Sequence, residues 1–360
     1  MTNREQLETL AARLPELTGA QGFADGCRLR LSGNTPPWQS TGLVLTAGQH
    51  YSIFAGGRIS WSPRHTELYG GPRFHLWART SPGGRTVNLA ADSGTFVADC
   101  DGVLELGIYM GMWADAFGHL ASSTDLYRDL GGSIDVVATT YDAEPTPVLT
   151  RICRDPSTPD IVRAELARCT RRYTPPAGWS YLRDCGFAEI YTRRASPAGP
   201  VIDACADDDQ GILRYPVDFP LSPQTVIRWS WRVDEHPSRA REDRASTHDY
   251  VSVATEFDNG RDLTWIWSST LARGEHFACP VKVWSARETH YVVRSGDDRL
   301  QTWYAEERNV HADVTASMGP PPARITAVWL IAVSTFQHRM ARGSFAGITL
   351  GDGREAVAIL

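Results

Sequence analysis

The first informative features of this chain are the signals it lacks. The amino terminus, Met1-Thr2-Asn3-Arg4-Glu5-Gln6, has no apolar core of the kind a signal peptide carries. No segment approaches the roughly 20 apolar residues needed to cross a bilayer. A cytoplasmic protein with no membrane partner is therefore expected. No lysine or arginine run makes a phosphate-binding stripe, and the formal net charge is −6, which argues against nucleic acid as a partner. There is no G-x-S-x-G elbow, no P-loop, no H-E-x-x-H and no Rossmann glycine pattern, so common hydrolase and redox chemistries have no support. Cysteines stand at 27, 100, 153, 169, 185, 205 and 279, an odd number without a C-x-x-C pair. That spacing suits neither a zinc ribbon nor a disulfide scaffold, and buried small hydrophobes are the plain reading. Cys279, close in sequence to His276, is the one candidate nucleophile.

What the sequence does contain points to β-structure. A length of 360 residues suggests two domains, and 42% hydrophobic with 22% charged residues is ordinary for a globular chain. With 31 Gly, 22 Pro and 10% aromatics, many short strands joined by turns are expected. Residues 2–17 place Leu7, Leu10, Ala11 and Leu14 at helical spacing after Thr2 and Asn3 as caps. Then come strand-like runs at Leu43-Val44-Leu45, Tyr51-Ser52-Ile53-Phe54, Val87-Asn88-Leu89, Leu104-Glu105-Leu106 and Ile134-Asp135-Val136-Val137. Pro145, Pro147, Pro156 and Pro159 mark a linker with a helix over 159–172, capped by Thr158 with Pro159 at its first position. The expected fold class is all-β: two jelly-roll-like β-sandwich domains in series. The expected division is an N-terminal helix over 1–21, a sandwich over 22–142, a helical linker over 143–178 and a second sandwich over 179–360.

The stretch from Trp229 to Gly319 has the clearest pattern. Residues i and i+2 share a strand face, so Ile227, Trp229, Trp231 and Val233 make an apolar face, with Arg228, Ser230 and Arg232 opposite. Next, Val251, Val253 and Phe257 oppose Tyr250, Ser252, Glu256 and Asp258. Such a half-buried antiparallel sheet can line a groove with its polar face. The order of Trp229-Ser230-Trp231-Arg232-Val233, Val251 to Asp258, and Arg308-Asn309-Val310 followed by Asp313 resembles the bacterial domain-of-unknown-function family 3047, over roughly Trp179 to Gly351. The resemblance implies a β-sandwich and no activity. Where that family tends to carry a D-T-D-N-T-like turn, this chain reads Ser334-Thr335-Phe336-Gln337-His338.

Residues 23–141 resemble the bacterial galactose-binding (PA-I type) lectin jelly roll. The resemblance rests on Pro37 to Leu45, Ala47-Gly48, Ala55-Gly56-Gly57, Tyr69 to Pro72, Phe96, Gly102 to Leu106, Trp113-Ala114-Asp115 and Gly132 to Val136. It implies a calcium site with Asp115 as the first carboxylate. Asp129-Leu130 stands where paired asparagines belong, the early loop reads Trp61-Ser62-Pro63, and 116–128 is a long insertion. Calcium wants about six to eight oxygens, so Asp125 and Asp129 would have to compensate.

Two further clusters carry candidate chemistry. Glu307, Asn309, His311 and Asp313 would share one face of a strand as an acid/base cluster. Alternatively, Arg308 pairs with carboxylates and Asn309 organises a turn. Glu256, near His248-Asp249 and among Tyr250, Trp265 and Trp267, is either a general acid with a raised pKa or a partner of Arg228 or Arg232. Two functions follow. One is an intracellular, cofactor-independent cyclase of the pericyclic or conjugate-addition type. It would act on a hydrophobic specialised-metabolite intermediate in an aromatic pocket between the domains, with Glu256, His248, Glu307 and His311 as catalytic groups. Tyr250, Trp265, Trp267, Trp284, Arg228 and Arg232 would bind its ligand. The alternative is a non-catalytic lectin that binds carbohydrate, with calcium at Asp115, Asp125 and Asp129.

Overall fold

A computed structural model describes the chain except residues 1, 20–22, 63–66, 111, 245–247 and 298. Two compact units divide it, Met1–Thr174 and Pro175–Leu360. Each is a sandwich of two β-sheets. No described helix is long and apolar enough to cross a membrane.

The first unit has strands β1 (Phe23–Ser32), β2 (Trp38–Leu45), β3 (His50–Ser60), β4 (Tyr69–Gly70), β5 (Leu76–Ser81), β6 (Val87–Asn88), β7 (Ser93–Val97), β8 (Gly102–Ile108) and β9 (Gly131–Tyr141). Its helices are α1 (Asn3–Leu17), α2 (Pro72–His75), α3 (Pro145–Ile152) and α4 (Asp160–Arg171). One sheet runs β1-β9-β3-β4 with β7 also on β3, and the other runs β2-β8-β5-β6. Strand periodicity explains how the first sheet is buried on both faces. Ile53, Ala55, Val136 and Ala138 point into the core between the sheets. Their neighbours Phe54 and Val137 point outward, against Leu7, Leu10 and Leu14 of α1 and Val148, Leu149, Ile161 and Val162 of α3 and α4. Thr2 and Glu5 start α1 as a reciprocal capping box. The stretch expected to be a linker therefore supplies two packed helices, and the first unit extends to Thr174. Thr158 does not cap α4; its hydroxyl donates to Ile152 O, and the helix begins one residue later, at Asp160 after Pro159.

The second unit has β10 (Ser180–Tyr181), β11 (Tyr191–Ser196), β12 (Gly199–Asp207), β13 (Gln210–Pro220), β14 (Val226–Glu235), β15 (Tyr250–Phe257), β16 (Asp262–Ser268), β17 (His276–Ala278), β18 (Glu288–Ser295) and β19 (Tyr304–Asn309). Helix α5 (Val310–Ser317) follows, then β20 (Arg324–Val333), β21 (Met340–Gly351) and β22 (Ala356–Ala358). A seven-stranded sheet, β10-β13-β20-β15-β16-β18-β17, packs on β11-β12-β21-β14-β19, with β22 beside β21. The expected alternation in β14 holds: Ile227, Trp229, Trp231 and Val233 are buried in the core. There Trp229 meets Trp265 with ring centres 5.6 Å apart, and Trp231 meets Trp267 at 5.8 Å. Each buried Trp removes about 150–250 Å² from water, so these four rings are a large part of what holds the sheets together.

Residue 309 changes the reading of the late segment. The Asn309 side chain accepts the Ala312 N–H and caps α5, so the chain leaves the strand there. Glu307, His311 and Asp313 therefore do not share a strand face.

Candidate functional site

The outer face of the seven-stranded sheet carries an unusual density of buried polar groups. Strand parity puts Tyr250, Ser252 and Glu256 of β15 on this face. Asp262 and Thr264 of β16 and Glu288 and His290 of β18 join them. Leu182, Cys185, Phe277, Trp284 and Phe336 pack with the apolar residues of the same face. Water is thereby excluded from the groups beneath.

At the β15–β18 end, four side chains converge: His248 just before β15, Cys279 just after β17, and Glu288 and His290 two residues apart on β18. All four are buried, and the ligand atoms they offer lie within 4.8 Å of one another. Cys279 Sγ is 3.4 Å from His248 Nε2. His248 Nε2 is 3.7 Å from Glu288 Oε2, and His290 Nε2 is 3.5 Å from Glu288 Oε1. The Tyr250 hydroxyl donates to Glu288 Oε1 at 2.7 Å. Phe277 stacks on the His290 ring, 5.1 Å between centres, and fixes its plane. Neither ring nitrogen of His290 has a hydrogen-bond partner, nor has His248 Nδ1. Burial pushes the His248 imidazole down towards its neutral form and pushes the Cys279 thiol up.

A second polar group lies further along the same face. Glu256 Oε2 accepts from Arg214 Nε at 2.7 Å and from the Trp329 indole at 3.2 Å. Arg287 reaches Asp184 at 2.9 Å and stacks over Trp284.

The structure separates several of the residues expected to act together. Trp265 lies opposite Val253 across β15–β16, so it faces the sandwich interior with Trp267, on the other side of the sheet from Tyr250 and Glu256. Arg228 pairs with Glu307 and Arg232 with Asp234, while Glu256 takes Arg214. Asp313 is buried under Arg308 and accepts the Trp265 indole N–H, as the ion-pair alternative expected for Arg308. His311 is half-buried on α5. His276 stacks on Tyr291, across the sheet from Cys279, whose imidazole neighbour is His248 instead. His248, Tyr250 and Cys279 are the residues named from sequence that do come together. Glu288 and His290 were missed, although their i, i+2 spacing in Glu288-Thr289-His290 is the strand signal for two groups on one face.

In the first unit, Asp115 is held inside its own loop. Its Oδ1 accepts the Phe117 and His119 N–H groups, and His119 Nδ1 lies 2.6 Å from Oδ2. Those bonds, the imidazole first, keep the carboxyl down at about 2. Asp125 pairs with Arg128, and Asp129 is exposed. Among the described residues, the His248 group is the one place where three or more His, Cys, Asp or Glu side chains come within metal reach. The structure does not bring Asp115, Asp125 and Asp129 together in that way, and Pro63 of the early loop lies outside the described residues. The Asp115 loop is nonetheless well fixed. Trp38 Nε1 donates to Gly118 O, Arg79 to Phe117 O, and the Thr86 N–H to Ala116 O. It presents Phe117 at 42% exposure, the most exposed aromatic ring among the described residues.

Residues 183–349 match the family described as a protein of unknown function, DUF3047. The matched stretch contains the whole buried four-residue cluster. No curated protein matches the chain. Among solved structures, the EclA N-terminal domain, a PllA-like lectin, is 17% identical with a TM-score of 0.25, over 32% of this chain and 95% of that one. The xyloglucanase domain of NopAA from Sinorhizobium fredii, solved with cellobiose, is 8% identical with a TM-score of 0.30, over 49% of this chain and 94% of that one. The tandem CBM22-1–CBM22-2 domains of Paenibacillus barcinonensis Xyn10C are 11% identical with a TM-score of 0.25, over 93% of this chain and 100% of that one.

Proposed function

We propose that this chain is a carbohydrate-binding protein and that its first unit makes the recognition surface on the Asp115–His119 loop. The observation that carries the reading is the rigid presentation of Phe117 beside the Asp115 carboxylate and the His119 imidazole. A sugar offers one apolar face of C–H groups and a rim of hydroxyls. An exposed ring takes the former, and a carboxylate with an imidazole takes the latter. Because the loop is already pinned by hydrogen bonds to Trp38, Arg79 and Thr86, little conformational entropy is lost on binding. The similarity of residues 23–141 to a galactose-binding lectin jelly roll supports the same assignment. The cyclase reading needs Trp265, Trp267 and Tyr250 to line one open aromatic pocket. Trp265, Trp267 and Tyr250 are instead buried, the two tryptophans on one face of a sheet and the tyrosine on the other.

The test is calorimetric titration of the full chain with galactosides and cello-oligosaccharides, with calcium and with a chelator. Millimolar binding, about −4 kcal/mol, is expected for a small sugar. Phe117→Ala should weaken it about fivefold, the equivalent of about 1 kcal/mol of lost stacking. No binding to any sugar under either condition, or binding unchanged in Phe117→Ala, refutes the assignment. A need for calcium would add Asp115, Asp125 and Asp129 to the site; indifference to the chelator would leave them as loop-forming residues.

A further inference from the structure

We propose that His248, Cys279, Glu288 and His290 form a closed structural site for one zinc ion in the second unit. Zinc–nitrogen and zinc–oxygen bonds of about 2.0–2.2 Å and a zinc–sulfur bond of about 2.3 Å put tetrahedral ligand atoms roughly 3.3–3.7 Å apart. Cys279 Sγ–His248 Nε2 at 3.4 Å falls at that spacing, and Glu288 lies between the two imidazoles, with Oε2 3.7 Å from His248 Nε2 and Oε1 3.5 Å from His290 Nε2. One ligand atom from each of the four residues lies within 4.8 Å of the other three, so the set closes to a tetrahedron by side-chain rotation that brings one Glu288 oxygen to the ion.

The same distances fit poorly with a cluster held by hydrogen bonds alone. Those at 3.5 and 3.7 Å are too long for one. His290 is fully buried with both nitrogens unpartnered, which is costly unless something else satisfies one of them. A Cys–His–acid triad is also excluded by geometry. In a triad the thiol and the acid address different imidazole nitrogens, whereas here both face His248 Nε2.

Charge and chemistry agree on zinc. A thiolate, a carboxylate and two neutral imidazoles neutralise a divalent cation, and mixed N, S and O donors suit a borderline-soft metal. On binding, the Cys279 S–H bond is exchanged for sulfur–zinc and the proton leaves to solvent. The Tyr250 hydroxyl on Glu288 Oε1 is the outer partner that orients the carboxylate. Four buried protein ligands leave no open position, so the ion is structural. It ties the start of β15 and the segment after β17 to β18. The site is independent of the sugar-binding assignment, which concerns the other unit.

The full chain, produced in zinc-supplemented medium, should carry about one zinc per chain by elemental mass spectrometry. Cobalt added to the metal-free chain should give a thiolate charge-transfer band and the intense visible bands of a tetrahedral ion. Cys279→Ser should lose the charge-transfer band, and His290→Gln should weaken zinc at least about 100-fold. Tyr250→Phe should retain the ion with affinity lowered about 10- to 100-fold. Because ligand variants can misfold, the wild-type chain decides. Less than about one-tenth of a zinc per chain, together with a weak octahedral cobalt spectrum, overturns the site even if every variant unfolds.

Discussion

Replacing Asp313 with alanine is the sharpest test of how the second sandwich is held. Its carboxylate is buried and takes Arg308 Nε at 2.8 Å, Arg308 Nη2 at 2.5 Å and the Trp265 indole N–H at 2.8 Å. Removal leaves a guanidinium that is only partly exposed, and breaking such a pair costs about 3–5 kcal/mol. It also leaves the indole of a fully buried tryptophan without its acceptor, for about 1–3 kcal/mol more. The two costs overlap, so about 4–6 kcal/mol is expected. At about 2–3 kcal/mol per molar urea, the midpoint of the second unit should fall by about 2 M, followed by tryptophan fluorescence. Adding Arg308→Met removes the orphaned cation and should restore about 2 kcal/mol. A cost below about 1 kcal/mol for Asp313→Ala, or no recovery in the double variant, would refute the view that this ion pair anchors α5 to the tryptophan core.

Two other predictions concern the first unit. His75 is fully buried, with Nδ1 2.7 Å from Tyr109 O and Nε2 accepting the Trp61 indole N–H, and burial lowers its pKa to about 4. A depressed histidine binds its proton later in the fold than in the unfolded chain. Its stabilisation is therefore complete above pH 6.5 and declines as pH falls towards 4, by about 3 kcal/mol in all. His75→Gln should flatten the fall in unfolding free energy between pH 6.5 and 4.5, and parallel curves for the two proteins would count against it. At Gly57, φ is +115° and an added Cβ would meet Ser133 O at 2.3 Å. Gly57→Ala should thus cost more than about 2 kcal/mol, visible as a lowered melting temperature; an unchanged melt would mean the β3–β9 pairing yields there.

Much of the fold could be read along the chain because its cause is local. Alternation in Ile227-Arg228-Trp229-Ser230-Trp231 marks a half-buried strand whatever it pairs with, and Thr2 with Glu5 marks a helix start. The continuous apolar runs near Ile53 and Val137 identify strands, but their second covering layer is α1 together with the two helices of the stretch expected as a linker. The Asn309 turn is also local, since a side chain that accepts the N–H three residues on favours a helix over a longer strand. The sequence pattern admits Asn309 both as a turn and as a strand residue, and the cap decides between them.

The candidate sites are where sequence stopped and tertiary structure began. Which side Trp265 faces depends on its pairing with Val253, a register that periodicity within β16 does not contain. His248 and Cys279 lie 31 residues apart, and they meet only because β16 and β18 run parallel and β17 returns along the edge. By itself, the sequence determined two β-rich units, the polarity of their strands and the identity of the reactive side chains. Only the tertiary structure decided which of those side chains share a dry space, because convergence of ligand atoms to 4.8 Å is a property of sheet order and register.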